Sequence, residues 1–143
     1  MPMERTLVLI KPDALKRDLV GEVINRFERQ GLRLVSIKML RLNESEAMAF
    51  YAVHKGKPFF KELVDYMSSG PIVAMVLEGE GAIGRVREIM GATDPNEAKA
   101  GTIRGDLGIN KTENTVHGSD SKESAALEIS FFFSQYDLKK GER

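Results

Sequence analysis

The sequence predicts an α+β fold on the ferredoxin-like split βαβ plan, with a four-stranded antiparallel sheet, an inserted helical hairpin and one long loop. Three features lead there. Short apolar runs bounded by turn residues alternate with stretches of helical period. Two helical stretches fall in succession between the second and third strands, and the polar stretch from Gly91 to Asn114 has no clear period.

Each element has a local reason. Thr6 to Ile10 is an apolar run ended by Pro12, as expected of a strand buried on both faces. Leu19, Val20, Val23, Ile24 and Phe27 recur at helical spacing until Gly31 offers a C-cap. Val35, Ile37 and Met39 alternate with Ser36, Lys38 and Leu40, a strand with one mixed face. Asn43 with Glu46 carries the signature of a capping box, opening a helix that bears Met48 and Tyr51. After the Gly56-Lys57-Pro58 break a further helix runs from Phe59 to Met67, and Gly70-Pro71 closes the pair. Ile72 to Leu77 reads as the third strand, Ile83 to Met90 as a helix and Thr115 to His117 as a short fourth strand. Asp120 with Glu123, ahead of Ala125-Ala126-Leu127, reads as a capping box for a last helix starting near Ser121. The helices are expected on one face of the sheet. No Pro, Gly or Ser run divides the chain, so residues 1–143 read as a single domain.

Bulk properties narrow the function classes. A chain of 143 residues and 15.9 kDa can bury roughly two-thirds of its unfolded surface. It has no cysteine, which removes disulfides and thiolate metal sites and suits a reducing compartment. Basic and acidic residues balance at 21 each, so nothing in the bulk charge attracts nucleic acid or an anionic membrane, and any phosphate binding must be local. The N-terminus lacks the regions of a signal peptide and the apolar runs are too short to span a bilayer; a cytoplasmic location is expected.

The segment Asn114-Thr115-Val116-His117-Gly118-Ser119-Asp120 concentrates the chemistry. Imidazoles ordinarily titrate near pH ~6.5, so at neutral pH one ring nitrogen has a lone pair able to attack phosphorus and carry the phosphoryl group. Gly118, without a Cβ, would leave room beside the ring for a large anion, and the helix start would favour developing negative charge. By residue type alone His117 is more often a half-buried structural histidine before a capped helix, and it is the rest of the chain that favours a site. The Gly91–Asn114 stretch carries Thr93, Lys99, Arg104 and Lys111, which suits a phosphate-facing loop better than a merely mobile one.

Competing motifs are weaker. Gly79-Glu80-Gly81-Ala82-Ile83-Gly84 matches G-x-G-x-x-G between a strand and a helix, yet no second parallel strand with an acidic ribose ligand follows. Arg85-Val86 stand where a phosphate loop needs Lys and Ser or Thr, so the glycines read as a tight strand-to-helix turn. His117, Ser119 and Asp120 lack the G-x-S-x-G elbow of a serine hydrolase. His54 has no partner at ligand spacing and reads as a solvated helix end.

Lys11-Pro12-Asp13, Tyr51, Pro58-Phe59-Phe60, Ser69-Gly70-Pro71, Gly101 through Asp106 and Asn114 through Ser121 occur together in this order. The set closely resembles the nucleoside diphosphate kinases, from about Glu4 to Phe132. That resemblance implies transfer of a γ-phosphate from a nucleoside triphosphate to His117 and then to a nucleoside diphosphate, with broad base specificity. It implies that Glu128 fixes the imidazole, and that Lys11 and Tyr51 join His117 in the catalytic set. Arg87, Thr93 and Arg104 would hold phosphates, Lys11, Tyr51 and Asn114 the ribose hydroxyls and transferred group, and Phe59 would stack on the base without reading its edges. Mg²⁺ is expected to arrive with the nucleotide, with no metal site made by the protein alone. A homo-oligomer is implied, and the short tail after Leu138 favours a tetramer over a hexamer. The alternative is a nucleotide-binding or regulatory protein that kept this fold and lost its chemistry; the intact Lys11, Arg104, His117 and Glu128 argue against it.

Overall fold

A computed structural model describes residues 2–143. The four strands are β1 (Met3–Ile10), β2 (Arg33–Leu40), β3 (Ile72–Glu80) and β4 (Val116–Gly118), ordered β2-β3-β1-β4 with every pairing antiparallel. This is the expected split βαβ sheet. Its helices are α1 (Pro12–Lys16), α2 (Val20–Arg29), α3 (Glu44–Phe50), α4 (Phe60–Met67), α5 (Ala82–Met90), α6 (Ile103–Leu107), α7 (Lys122–Phe132) and α8 (Gln135–Lys140).

The helices cover both faces, not one. Leu7, Leu9, Ile72, Ala74 and Val76 point into a cluster with Tyr51, Val64, Met67, Ile129 and Phe132 from the helical hairpin and α7. Their sequence neighbours Val8, Ile10, Val73, Met75 and Leu77 point the other way, against Val23 and Phe27 of α2 and Val86 and Met90 of α5. Successive strand side chains alternate in direction, so an unbroken apolar run is stable only between two covered faces. The residues of β1 from Leu7 to Ile10 are fully buried, which makes this strand the spine of both cores.

Local signals hold with small shifts. The Asn43–Glu46 capping box forms with both bonds, at 2.8 and 2.9 Å, and Gly31 follows α2 with φ +83°. The last long helix is capped by Ser121, whose hydroxyl accepts from the Ser124 amide at 3.0 Å, rather than by Asp120. Three short helices were not expected. Pro12 does not merely end β1; it occupies the first turn of α1, where its missing N–H costs nothing. α6 lies inside the long polar stretch and is capped by the Thr102 hydroxyl, and α8 is opened by a Ser134–Asp137 capping box.

Candidate active site

His117 is the middle residue of β4 and pairs with Leu9 of the buried spine. Its Nε2 lies 2.8 Å from Glu128 Oε1 on α7. A carboxylate can only accept here, so Nε2 carries the proton and Nδ1 keeps the lone pair. The Ser119 hydroxyl donates to the same Glu128 oxygen at 2.8 Å, and Ser119 is itself buried on β1, its amide donating to the Leu7 carbonyl. Phe50 and Tyr51 meet the imidazole edge-on, at centroid distances of 5.5 and 6.1 Å. Ring orientation is therefore fixed on several sides.

The ring faces a cleft of about 880 Å³, within the usual size of a small-molecule site. All nine sequence-predicted residues line it: Lys11, Tyr51, Phe59, Arg87, Thr93, Arg104, Asn114, His117 and Glu128. Lys11 follows β1 as the N-cap of α1 and is buried; its ammonium donates to Asn114 Oδ1 at 2.8 Å and to the Thr112 carbonyl at 3.3 Å. The Asn114 amide nitrogen in turn bonds the carbonyls of Thr93 and Lys111, each at 3.0 Å, pinning both ends of the long loop. Arg104 of α6 spends its two terminal nitrogens on the Gly91 and Val116 carbonyls, at 3.0 and 2.9 Å. Arg87 stands exposed on α5, and Phe59 lies at the start of α4, 44% exposed.

Charge in the cleft is lopsided. Lys11, Arg87, Arg104 and Lys111 face only Asp120 and Glu128 in a chain of zero net charge. Burial, then the charge of Arg104, pushes the Lys11 ammonium down to about 7, against a weaker opposing pull from Asp13. Burial and then Arg87 push the Arg104 guanidinium down to about 10. Both shifts report cations short of counter-charge, which an anion would supply. The Tyr51 phenol is raised by burial and by Glu128, stays protonated, and has no hydrogen-bond partner for its hydroxyl. Arg104 Nε is a second buried donor without a partner.

Gly118 lines the cleft, and a Cβ there would lie 2.9 Å from Met90 Cε and 3.1 Å from Val86 Cγ1, so the glycine also lets α5 pack against β4. Some expectations fail. Lys99 does not reach the cleft. His54 is no solvated helix end; it lines the cleft, its ring 5.2 Å from that of Phe59, and burial followed by the charge of Lys57 lowers its basicity. Ser119 was visible in the sequence, but its partnership with Glu128 needed the three-dimensional register of β4 on β1.

The glycine-rich turn is remote from this cleft. Gly81 takes the left-handed conformation at φ +58° to start α5, and the Ile83 amide donates to Glu4 Oε1 at 3.2 Å. A protein carboxylate thus already satisfies the helix start that a pyrophosphate would need. Among the described residues no three His, Cys, Asp or Glu side chains converge as a metal site.

An oriented imidazole with a free lone pair, facing a basic cleft with an exposed aromatic, defines a phosphoryl-transfer enzyme acting on nucleotides. Comparison with known proteins names the family. The nucleoside diphosphate kinase family model matches residues 4–138. The chain is 61% identical to the nucleoside diphosphate kinase of Desulfatibacillum aliphaticivorans over 136 residues, covering 95% of this chain and 99% of that protein. It is 56% identical to that of Nitratiruptor sp. over 136 residues, with the same coverage. The structure superposes on the Aquifex aeolicus nucleoside diphosphate kinase with a TM-score of 0.94 at 48% identity, covering 96% of this chain and 99% of that one. A Halobacterium salinarum nucleoside diphosphate kinase, solved in complex with CDP, gives a TM-score of 0.92 at 45% identity, covering 96% and 91%. The chain belongs to the nucleoside diphosphate kinase family, and its activity is phosphoryl transfer between nucleotides.

Proposed function

We propose that this enzyme works by a ping-pong route with His117 Nδ1 as the nucleophile. The observation that carries this reading is the 2.8 Å contact of Nε2 with Glu128, which leaves Nδ1 as the one basic nitrogen of the ring. The Nδ1 lone pair attacks the γ-phosphorus of a nucleoside triphosphate. The bond from that phosphorus to the bridging oxygen breaks, and its electrons leave with the nucleoside diphosphate. Nε2 keeps its proton, and the Glu128 carboxylate balances the positive charge that phosphorylation puts on the ring. A β-phosphate oxygen of a second diphosphate then attacks the phosphohistidine, returning the lone pair to Nδ1. One anhydride is broken and an equivalent one is made, so the overall equilibrium lies near unity.

Arg87, Arg104 and Thr93 bind the phosphates in this reading, with Tyr51 and Lys11 near the transferred group and Asn114 with Lys11 at the ribose. Phe59 takes the base on its ring face and accepts purines and pyrimidines alike. The CDP bound by the Halobacterium salinarum relative is in keeping with that tolerance. Mg²⁺ carried in by the nucleotide would neutralise charge on the phosphates; of the two carboxylates lining the cleft Glu128 is engaged by His117 and Ser119, so Asp120 is the one that could add to its shell. We read residues 1–143 as one catalytic domain, because a single sheet backs both cores. A homo-oligomer, a tetramer before a hexamer, is our reading; the unpaired edge of β2 at Ile37 and Met39, both exposed, offers it a surface. No helix among the described residues is long and apolar enough to cross a membrane, and a cytoplasmic site of action is our reading.

The test is incubation with labelled nucleoside triphosphate and no acceptor. Wild type should take up one phosphate per chain, labile to acid and stable to base, and His117→Ala none. Equal labelling of the variant would remove His117 from the role.

A further inference from the structure

Asp13 belongs to the sequence motif but does not line the cleft, and it is 3% exposed. Its carboxylate nevertheless collects donors from two other segments and from the end of its own helix. The Tyr66 hydroxyl of α4 donates to Oδ1, and the same hydroxyl accepts from the Asp13 amide at 2.7 Å. Arg17 donates to Oδ2 at 3.0 Å. From the segment before β4, the Thr115 amide and hydroxyl donate to Oδ1 and Oδ2, each at 3.3 Å.

Thr115 is the unusual partner. It has φ +79°, a conformation that a β-branched residue rarely adopts. The Val116 amide donates to the Asn114 carbonyl at 2.9 Å, so Thr115 is the apex of a three-residue turn of the strained kind. That turn joins the two halves of the site. On one side is Asn114, bonded to the Lys11 ammonium; on the other is Val116, which accepts from Arg104, and then His117. The Thr115 carbonyl also accepts from the Lys11 amide at 2.8 Å, so the strained turn and the residue preceding α1 move together.

We propose that Asp13 is a positioning residue for phosphoryl transfer, its buried carboxylate holding Thr115 in the strained turn that sets His117 against Lys11 and Asn114. Strain of this sort persists only where the surroundings over-determine it, and here both donors of Thr115 end on one carboxylate. Without that anchor the turn relaxes, and the nucleophile shifts relative to the groups that hold the phosphate. The inference rests on His117 as nucleophile.

The experiment measures single-turnover phosphoenzyme formation at saturating nucleoside triphosphate, with affinity measured separately. Asp13→Asn should slow phosphorylation by about 10²-fold, the order expected for a small misplacement of reacting groups, while changing affinity much less. Adding Thr115→Gly should recover at least about tenfold of that loss, because glycine adopts positive φ without help. A structural role alone would lower thermal stability with the rate per folded molecule unchanged, and the glycine would rescue nothing; either result overturns the proposal. If Asp13→Asn does not fold, Thr115→Val and Thr115→Ser decide it. Valine keeps the branch and loses the hydroxyl bond, and serine does the reverse, so the valine variant should be the slower; equal rates overturn the proposal. Labelling of His117→Ala would instead sink the nucleophile assignment, an outcome distinct from any of these.

Discussion

Two strand-to-helix junctions in this molecule, β3 into α5 and β4 into α7, treat their polar groups in opposite ways. At the first, the glycine-rich one, Glu4 accepts from the helix start and the Arg85 guanidinium is consumed by the Gln30 and Glu80 carbonyls. The second has its own serines bonded but opens on a cleft where polar capacity is left unspent: of the four buried side-chain atoms without a partner among the described residues, those of Tyr51, His54 and Arg104 line that cleft from other elements. A junction whose hydrogen bonds are complete stabilises the fold. A cleft that buries unpaired polar atoms costs stability and is retained where a ligand completes it. The junction carrying the more familiar nucleotide signature is the structural one.

The sharpest way to break this contrast is at Glu128. Glu128→Gln should slow phosphoenzyme formation by about 10²–10⁴-fold while leaving nucleotide affinity almost intact. Adding it to His117→Ala should cost little more, since residues acting as a unit are non-additive. Additive losses, or a pure affinity loss, would place Glu128 on the nucleotide or the fold instead of the ring. Phe59→Ala comes next: all nucleotides should weaken by about 1–3 kcal/mol with their order preserved, read by equilibrium binding across bases. A loss confined to one base would show edge recognition.

Lys11 gives a pH signature. Its ammonium is pushed down to about 7 in the fold, so between there and the ordinary lysine value of 10.5 the unfolded chain binds more protons than the native one. This group therefore makes the nucleotide-free protein more stable as pH rises through that window, and the gain is lost as pH falls towards 7. Bound triphosphate returns charge to Lys11 and should flatten the slope. Thermal melts with and without nucleotide would show it, and an unchanged slope would mean that Lys11 contacts no phosphate.

The smallest effects separate the glycines of the distal turn. Gly81→Ala, at φ +58°, should destabilise by about 1 kcal/mol. Gly84→Ala has nothing within 4 Å of the new methyl and lies inside α5, so it should stabilise by about 0.5–1 kcal/mol. Denaturant melts read both, and neither should alter phosphoenzyme formation; nicotinamide dinucleotides should not compete with triphosphate.

How far such contrasts can be read without coordinates depends on the range of the physics involved. The apolar run of β1 and the Asn43–Glu46 box depend on neighbours a few positions apart, and both are legible in the sequence. The same runs imply two covered faces, as the two cores show, and not the single covered face expected of a split βαβ sheet. Ser121 displaces Asp120 as cap because both are good acceptors and only tertiary geometry chooses between them. α6 is a five-residue helix tied by side-chain bonds to distant carbonyls, so it leaves no period to find. The site residues were recognised as a motif, but His54 at the cleft and Met90 against Gly118 come from long-range packing that no spacing announces.

The pairing of His117 with Leu9 also divides the site mechanically. The attacking ring is mounted on the backbone that both cores grip, so its position is inherited from the whole fold and cannot adjust to a guest. The opposite wall, from Thr93 through Lys111, is rooted in the second core by Ile103 and is otherwise held by bonds from single side chains such as that of Asn114. Small movements on nucleotide binding are therefore expected in that wall, while the reacting nitrogen stays where the sheet holds it. The arrangement resembles an anvil and a jaw: tolerance lies in one half of the cleft and registration in the other.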